Sequence, residues 1–561
     1  MKIFPLTRPW RHLRRYNQII RVLLKYGFGE IVEAASGDLI TRFGEKIIPR
    51  ARMPKAIGAT SPERLRLAIE ELGPTFIKLG QILSLRPDLI PPDYAAELTN
   101  LQDNVTPIGF ETISKVLTEE LPEPGMAIFK NIEQNPLAAA SLAQVHQATL
   151  QDGTAVVLKV QRPGARAVIE VDLEILHDLA GILRNYILEK FVQDPLELLA
   201  EFDKSIHREL DFRQEGRQID QFRNCFAGEK TIFIPQYYAA YSTARLLVMQ
   251  MVAGIKASDL AQLQAAGIDC AEVARRGVHL SFRQIFEFGF FHADPHPGNI
   301  MILPDNIVAP LDFGMVGQVD ELTIDSLGDL LVGILRKDVN RALRALEDLT
   351  GAEFLLENQA LRVEVTSLIN NYTGIPLSEL RLNALMQDFF DLVRKFRLRV
   401  PSHLAMMLKA LVTVEGLARQ LYPAFDFFQE LQPYILKIVR RRFEPRRMLS
   451  AGTLVVDDLL NLVADLPRKM RAIVTKAAAG KFAIQFQHRN LERLIEELNH
   501  ASNRLSAALI IAALIVGSSL VIQVSGGVRL FGYPIIGIIG YLVASILGIK
   551  LIWDMTRKKQ R

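Results

Sequence analysis

Apolar and polar positions follow three rhythms along this 561-residue chain. Near the N-terminus Tyr16, Ile19, Ile20, Leu23 and Leu24 recur at i, i+3, i+4, i+7 and i+8, the stripe of an amphipathic helix. Arg14, Arg15, Arg21 and Lys25 lie largely off it. Such a helix can lie in a membrane interface or dock on its own domain, and the pattern leaves both open. Ser61-Pro62-Glu63 reads as N-cap, first helical position and acidic first turn of a second helix. It runs to about Leu72, where Gly73-Pro74 breaks it. TFIKLGQILSL gives another helix, and RPDLIPPDY bends the chain before a third begins near Asp93. Strand rhythm starts near Leu142: LAQVHQATL, QDGT and AVVLKVQ predict a hairpin. Helices follow over about 165–188 and 195–222, then strands at TIFIPQYY and RLLVMQMV. Beyond Gly254 the pattern is mostly helical, with short strands only around 300–303 and 307–311.

The third rhythm is the absence of one. Residues 505–524 and 530–549 carry no charge, and each has about the 20 residues that span a bilayer as a helix. SGGVR joins them as a tight turn. Ala513/Gly517 and Gly540/Ala544/Gly548 have the small-xxx-small spacing that lets helices approach closely. RKKQR ends the chain, and the positive-inside rule then predicts a two-span membrane protein whose preceding 500 residues or so are cytoplasmic. Residues 1–25 hold seven Lys or Arg and no acid, without the uninterrupted apolar run or cleavage site of a signal peptide. A second basic run, from Lys437 to Arg447, reads as a solvated face or a contact with anionic lipid.

Composition narrows the field. The length suggests roughly three to five structural units. The formal net charge of +4 is too small to indicate nucleic-acid binding. Two cysteines, Cys225 and Cys270, exclude a disulfide framework and fit a reducing compartment.

Candidate chemistry concentrates in FHADPHPGNI, residues 291–300, and LDFG, 311–314. Phosphoryl transfer uses a carboxylate near the attacking hydroxyl and oxygen ligands for Mg²⁺. Asp294 and Asn299 have the D-x-x-x-x-N spacing of a kinase catalytic loop, and Asp312-Phe313-Gly314 supplies the D-F-G that follows it. Two short strands between them would return Asp312 beside Asn299. Two other readings compete. His292, Asp294 and His296 form an H-x-D-x-H that could bind Zn²⁺ in a hydrolase, which would leave Asn299 and the D-F-G unexplained. Alternatively, the His and Asp residues of a Pro-rich loop merely cap helices. Upstream, VVLK ends in Lys159, a candidate for the α/β-phosphates. Alone it would read as an edge-strand lysine. Facing inward it needs an acidic partner, and Glu215 in ELDFRQEG is the leading candidate, with Glu209 and Asp211 one to two turns earlier. LLVMQMVAG, 246–254, suits a hinge that would hold adenine through backbone groups near Gln250 and Val252.

Taken together, KLGQ (78–81), PLAAASLAQVH (136–146), VVLK (156–159), ELDF (209–212), FHADPHPGN (291–299), LDFG (311–314) and KALVTVEGLARQLYP (409–423) resemble the UbiB/AarF family of atypical kinases, which includes coenzyme Q biosynthesis proteins. The resemblance runs from about residue 10 to the C-terminal hairpin. It implies that Lys78 and Gln81, on one helix face, belong to an extension folded over the active site, with Gly80 allowing close approach. Glu209 and Asp211 would pair with that extension, and Glu215 would hold Lys159. Ala138, Ala139, Ala140 and Ser141 would stand at the phosphate loop, where ordinary kinases use glycines to reach positive φ; the same Ala run could instead start a helix. Gln250 stands where the family's hinge often has Glu. Gly216 and Gln218 stand where it usually has Ala and Asn. After the D-F-G, GMVGQVDELTIDSLGDLLVGI turns quickly into a helix, so the long segment on which protein kinases dock peptides is missing.

The expectation is therefore an α+β, protein-kinase-like two-lobe fold with a helical N-terminal extension and a C-terminal transmembrane hairpin. Its parts would be basic N-terminal helices (1–60), the extension (61–135), an N-lobe (136–252), a C-lobe (253–440), a helical linker (441–503) and two membrane helices (504–553). The resemblance implies Mg²⁺ held by Asn299 and Asp312, bound ATP or ADP, and support of isoprenoid-quinone biosynthesis. The activity would be a slow ATPase or a kinase for a small or lipid molecule. Quinone precursors and quinone-biosynthesis enzymes would be partners, alongside the bilayer. The rival is a nucleotide-sensing, lipid-binding scaffold without turnover.

Overall fold

The computed structural model describes residues 10–29, 60–101, 105–122, 125–187, 194–372, 379–441, 491–523, 529–530 and 533–557. It divides into two compact units, Met1–Leu449 and Ser450–Arg561. Most of the expected linker, residues 442–490, lies outside the described residues, as does most of the basic run that follows Lys437.

Among the described residues the first unit opens with the helices α1 (Trp10–Lys25), α2 (Ser61–Leu72), α3 (Pro74–Ser84) and α4 (Pro92–Leu98). The α2 cap is Thr60, one residue before the expected Ser61. Its side chain accepts from Glu63 N–H, while the Glu63 carboxylate accepts from Thr60 N–H at 2.7 Å, a reciprocal capping box. Gly73, at φ 94°, turns the chain into α3. Helix α1 docks on its own domain. Tyr16, Ile19, Ile20 and Val22 are buried in one cluster with Ile69, Leu72, Phe76 and Ile175, and Leu23 and Leu24 are only partly buried against it. Arg15 fixes this docking with bonds of 2.7 and 2.9 Å to the fully buried Asp172 carboxylate, which also accepts from Thr75 Oγ1 at 2.6 Å.

Next come α5 (Phe110–Glu120), β1 (Phe129–Ile132), β2 (Ala138–Ala139), β3 (Ala143–Leu150), β4 (Ala155–Gln161), α6 (Ala165–Ile187), α7 (Pro195–Glu209), α8 (Phe212–Cys225) and β5 (Leu246–Gln250). The sheet runs β1-β3-β4-β5, antiparallel throughout, with β2 added to β3. The predicted β3–β4 hairpin is present, its turn carrying Gly153 at φ 89°. Strands β1 and β2 precede the first expected one. The helix expected over 195–222 is two helices: Asp211 ends the first run and caps α8, accepting from Arg213 N–H at 3.2 Å. TIFIPQYY forms no strand beyond isolated bridges of Ile232 to Val308 and Tyr237 to Met249, because Pro235 interrupts it without an N–H to donate.

The second lobe contains β6 (Ile255–Lys256), α9 (Leu260–Ala265), α10 (Cys270–Phe282), β7 (Phe290–His292), β8 (Ile300–Leu303), β9 (Ile307–Pro310), β10 (Val316–Gln318), α11 (Glu321–Arg336), α12 (Val339–Thr350), α13 (Gln359–Tyr372), α14 (Leu382–Lys395), α15 (Ser402–Leu421) and α16 (Phe427–Arg441). Strands β8 and β9 were expected. The others are two or three residues long, too short to show an alternation. One core runs from Phe212 and Phe222 of α8 through Phe282, Phe291 and Phe313 to the helices α14–α16. Each such phenylalanine contributes about 1.5–3 kcal/mol by leaving water, so the core fixes the two catalytic-loop strands firmly.

The second unit holds α17 (Leu491–Gln523), β11 (Arg529–Leu530), β12 (Tyr533–Pro534) and α18 (Ile535–Arg557). Leu505–Ile522, with a mean hydropathy of 2.6, is long and apolar enough to cross a membrane; in α18 the apolar stretch is the shorter Ile538–Ile549. Among the described residues one helix, not the two expected, is long and apolar enough to span, and the stretch expected over 530–549 is helical only in part. Its first residues pair as a two-stranded ribbon, and the helix starts only after Pro534, whose ring disfavours helical geometry in the residue before it. The small residues meet in part. Ser518 and Ala544 are buried, and a Cβ on Gly540 would strike the Ser518 hydroxyl, whereas one on Gly517 or Gly548 would meet nothing within 4 Å.

Candidate active site

Strand β4 sends Val156, Leu158 and Val160, all fully buried, against α5 on the outer face of the sheet. Lys159 therefore points to the opposite, inter-lobe face. Its Nζ lies 2.8 and 2.9 Å from the two Glu215 oxygens and 3.7 Å from Asp312 Oδ1. Glu215 sits in the first turn of α8, where the helix dipole favours an anion. Burial works to neutralise Lys159, but Asp312 and Glu215 outweigh it and raise its pKa. The same ammonium holds the Asp312 carboxyl well below the usual carboxylate range, against burial and helped by the Gly314 N–H at 2.9 Å. Burial pushes the Glu215 carboxyl up, opposed by Lys159.

Two strand pairings bring the rest together. His292 of β7 faces Val316 of β10, and Ala293 N–H donates to the Met315 carbonyl at 2.9 Å. Ile300 faces Pro310 across β8–β9, and Leu311 N–H donates to the Asn299 carbonyl at 2.9 Å. Asp294, Asn299 and Asp312 are thereby gathered at one end of these strands. The two histidines serve the loop itself. His292 Nδ1 accepts from Asp294 N–H and His296 Nδ1 from Gly298 N–H, each at 3.1 Å. The zinc reading finds no support, because among the described residues no group of three His, Cys, Asp or Glu side chains could hold a metal.

The extension reaches the same place. Lys78 Nζ lies 2.6 Å from Glu209 Oε1, and Lys78 and Gln81 line a cavity of about 250 Å³ with Glu209, Glu215, Ala293 and Gly314. Two expectations are corrected. Asp211 does not pair with the extension: it caps α8 and binds Arg213 at 2.8 Å. Gly80 allows close approach, but to Leu101 and Ile69 within the extension, not to the active site. A Cβ on Gly216 would overlap the Tyr237 ring, which accounts for glycine at that position. Gln218 lines the cavity.

Ala138 and Ala139 form β2 and start no helix. Ala140 N–H donates to the Ala143 carbonyl at 2.8 Å, its own carbonyl accepts from Arg162 at 2.9 Å, and Ser141 is buried. Among the described residues no positive φ occurs from 138 to 143, so this hairpin tip lacks the glycine-type cradle. At the hinge, Gln250 N–H is taken by the Gln236 carbonyl at 2.8 Å and Met251 N–H by Ala155 at 3.0 Å. Neither bond uses the Val252 peptide.

Three residues near the site were given no role from the sequence. Gln284 is buried and accepts from His292 N–H at 3.0 Å. Tyr237 packs over Gly216. Lys409 of α15 donates to Ser84 at the end of α3. Lys409 begins the motif KALVTVEGLARQLYP, but nothing in that stretch tied it to this site.

A family profile described as the ABC1 atypical kinase-like domain matches residues 100–346, the UbiB helical domain matches 365–426, and the ABC1/UbiB kinase-like C-terminal domain matches 489–557. "Uncharacterized protein in hydrogenase 1 5'region" of Clostridium pasteurianum is 33% identical over 97% of this chain and 98% of its own. "Probable protein kinase UbiB" of Xanthomonas campestris pv. campestris (strain B100) is 32% identical over 90% and 93%, and that of Cellvibrio japonicus (strain Ueda107) is 33% identical over 77% and 79%. Among solved structures, that of the Rv3197–erythromycin complex from Mycobacterium tuberculosis matches with a TM-score of 0.43 at 22% identity, covering 70% of this chain and 94% of the other.

Proposed function

Because the chain belongs to the UbiB/ABC1 family of atypical kinase-like proteins, we propose that it binds Mg-ATP or Mg-ADP between its lobes. It transfers the terminal phosphoryl group slowly to water or to a small or lipid molecule, not to a protein. The observation that carries this reading is the convergence of Lys159, Glu215 and Asp312 within ion-pair distance, from segments more than 50 residues apart in sequence. Lys159 holds the phosphates, and Glu215 keeps its ammonium in place. The Val252 peptide, beside Gln250, receives the adenine edge.

Asn299 and Asp312 fit Mg²⁺: an amide oxygen and a carboxylate held ionised are hard ligands. When bound, the ion supplies charge neutralisation on the phosphates. Asp294 faces the acceptor and orients its hydroxyl or a water. The cavity beside Lys78 and Gln81 suits a small acceptor. Only six residues separate Gly314 from the start of α11, too few for a peptide-docking segment.

Anchoring through α17 and α18 as a two-span hairpin, with the catalytic unit on the cytoplasmic side, gives this chemistry access to lipids. It also agrees with a role in isoprenoid-quinone biosynthesis, in contact with quinone precursors and the enzymes that process them. A scaffold without turnover is favoured by one observation, the closed alanine tip with no positive φ. Phosphate release by the full-length protein in detergent decides between the two. The enzyme reading expects Asp294→Asn to lower release by about 10²–10⁴-fold. Equal background release from both proteins favours the scaffold. Accumulation of quinone precursors in a deletion strain tests the pathway.

A further inference from the structure

Helix α15 turns one face to the site. Ser402 and Met406 line the same cavity as Ala293, the neighbour of Asp294. Lys409 follows Met406 by three residues and continues that face. Its ammonium donates to the Ser84 carbonyl at 3.1 Å and the Ser84 hydroxyl at 3.0 Å. These acceptors stand at the C-terminal end of α3, one turn beyond Gln81 and nearly two beyond Lys78, where a cation suits the helix dipole. Among the described residues Lys409 makes no ion pair, yet burial is deep enough to pull its pKa down to about 8, with the Asp294 charge pulling the other way. A buried ammonium held this way is costly to keep. The loop from Asp294 to Asn299 contains no Lys or Arg, so a cation facing Asp294 would come from another element.

We propose that Lys409 is a positioning residue of the phosphoryl-transfer centre: it orients Asp294 from the C-lobe and, through Ser84, couples that carboxylate to the extension helix that covers the site. The inference rests on the phosphoryl-transfer reading above. It gives the extension a second function besides covering the cavity. A shift at the end of α3 moves the Lys409 ammonium and with it the carboxylate that faces the acceptor.

The test is Mg-ATP turnover by the full-length protein in detergent, comparing Lys409→Met, Lys409→Arg, Asp294→Asn and the Lys409→Met/Asp294→Asn double variant. Misplacing a reacting group costs about 10²-fold, so Lys409→Met should lower kcat by that order. The nucleotide KM should stay within about twofold of the unaltered protein, and Tm should not fall. Lys409→Arg, which keeps the charge, should recover most of the rate. The double variant should be no slower than Asp294→Asn alone, because both changes act on one carboxylate. Wild-type kcat in Lys409→Met, multiplicative losses in the double variant, or a fall in Tm without rescue by Arg overturns the inference. If Lys409→Met does not fold, Lys409→Gln replaces it, and unfolding of both assigns Lys409 a purely structural role, which also overturns it. Loss of turnover in Asp294→Asn but not in the Lys409 variants sinks this inference alone. Absence of turnover in the unaltered protein sinks both.

Discussion

Lys159 Nζ stands 2.8 Å from Glu215 Oε1 and 3.7 Å from Asp312 Oδ1, so one ammonium joins a strand of the N-lobe, the first turn of α8 and the loop that follows β9. Glu215 is almost fully buried while the Asp312 side chain is about half exposed, at 47%. The two carboxylates therefore differ in what their loss does.

Replacing Glu215 by Gln leaves a buried ammonium short of its closest counter-charge. Breaking a buried pair from one side costs about 3–5 kcal/mol. Glu215→Gln should lower the urea midpoint clearly and weaken nucleotide binding at the same time. Lys159→Met should remove nucleotide binding with a smaller loss of stability, since Glu215 can then take up a proton. Equilibrium denaturation and a fluorescent-nucleotide titration read both.

Asp312 carries a pH signature. Its folded pKa lies below the unfolded value of about 3.9, so the unfolded chain binds the extra proton first. Its contribution to stability is complete above that value and is lost as pH falls through the folded pKa. Between about pH 4 and 2 the unaltered protein should lose stability through this group, with a slope well below the one-proton limit because the half-exposed carboxylate is screened by solvent. Asp312→Asn should flatten the slope in urea midpoints measured across the range.

Gly216→Ala sets two effects of opposite sign against each other. Alanine favours a helix over glycine by about 1 kcal/mol. Overlap of its Cβ with the Tyr237 ring costs about 1–3 kcal/mol. The overlap should win, lowering Tm, and Gly216→Ala with Tyr237→Ala should be more stable than Gly216→Ala alone. A raised Tm in the single variant would show that the ring moves aside freely.

The Lys78–Glu209 pair, 12% and 25% exposed, is shielded enough to matter. A double-mutant cycle of Lys78→Ala and Glu209→Ala should give a coupling of about 1 kcal/mol. Both single variants should show faster hydrogen exchange in residues 74–84.

In the second unit, Gly540→Leu would drive a side chain into Ser518 of α17. The full-length variant should still float with lipid vesicles, because the apolar faces remain. It should unfold at a lower temperature in detergent, read by circular dichroism.

Much of the catalytic constellation was legible in the sequence because spacing survives without coordinates. Asp294, Asn299 and Asp312 are tied by two short pairings, and the β3–β4 hairpin was announced by its alternation and its Gly turn. The break at Asp211 was less visible, since Leu210 and Phe212 continue the apolar period on either side of it. Strands β6, β7 and β10 are held by their neighbours and not by any rhythm of their own. Lys409 was hidden for a related reason. Its partner, Ser84, lies 325 residues away, and no local pattern encodes that meeting. The fate of α1 depended on Asp172, another long-range partner.

That last contact bears on how the chain is assembled. Asp172 is sealed from solvent and relies on Arg15, made some 157 residues earlier, and on Thr75. During synthesis the leading helix emerges first and must wait for its acid to leave the ribosome. Any product that starts downstream of Arg15 would strand a carboxylate in an oily interior with a single hydroxyl for company. The helix that carries Arg15 thus supplies the charge that lets Asp172 stay buried, and trimming it should be felt as lost stability before any effect on turnover could be measured.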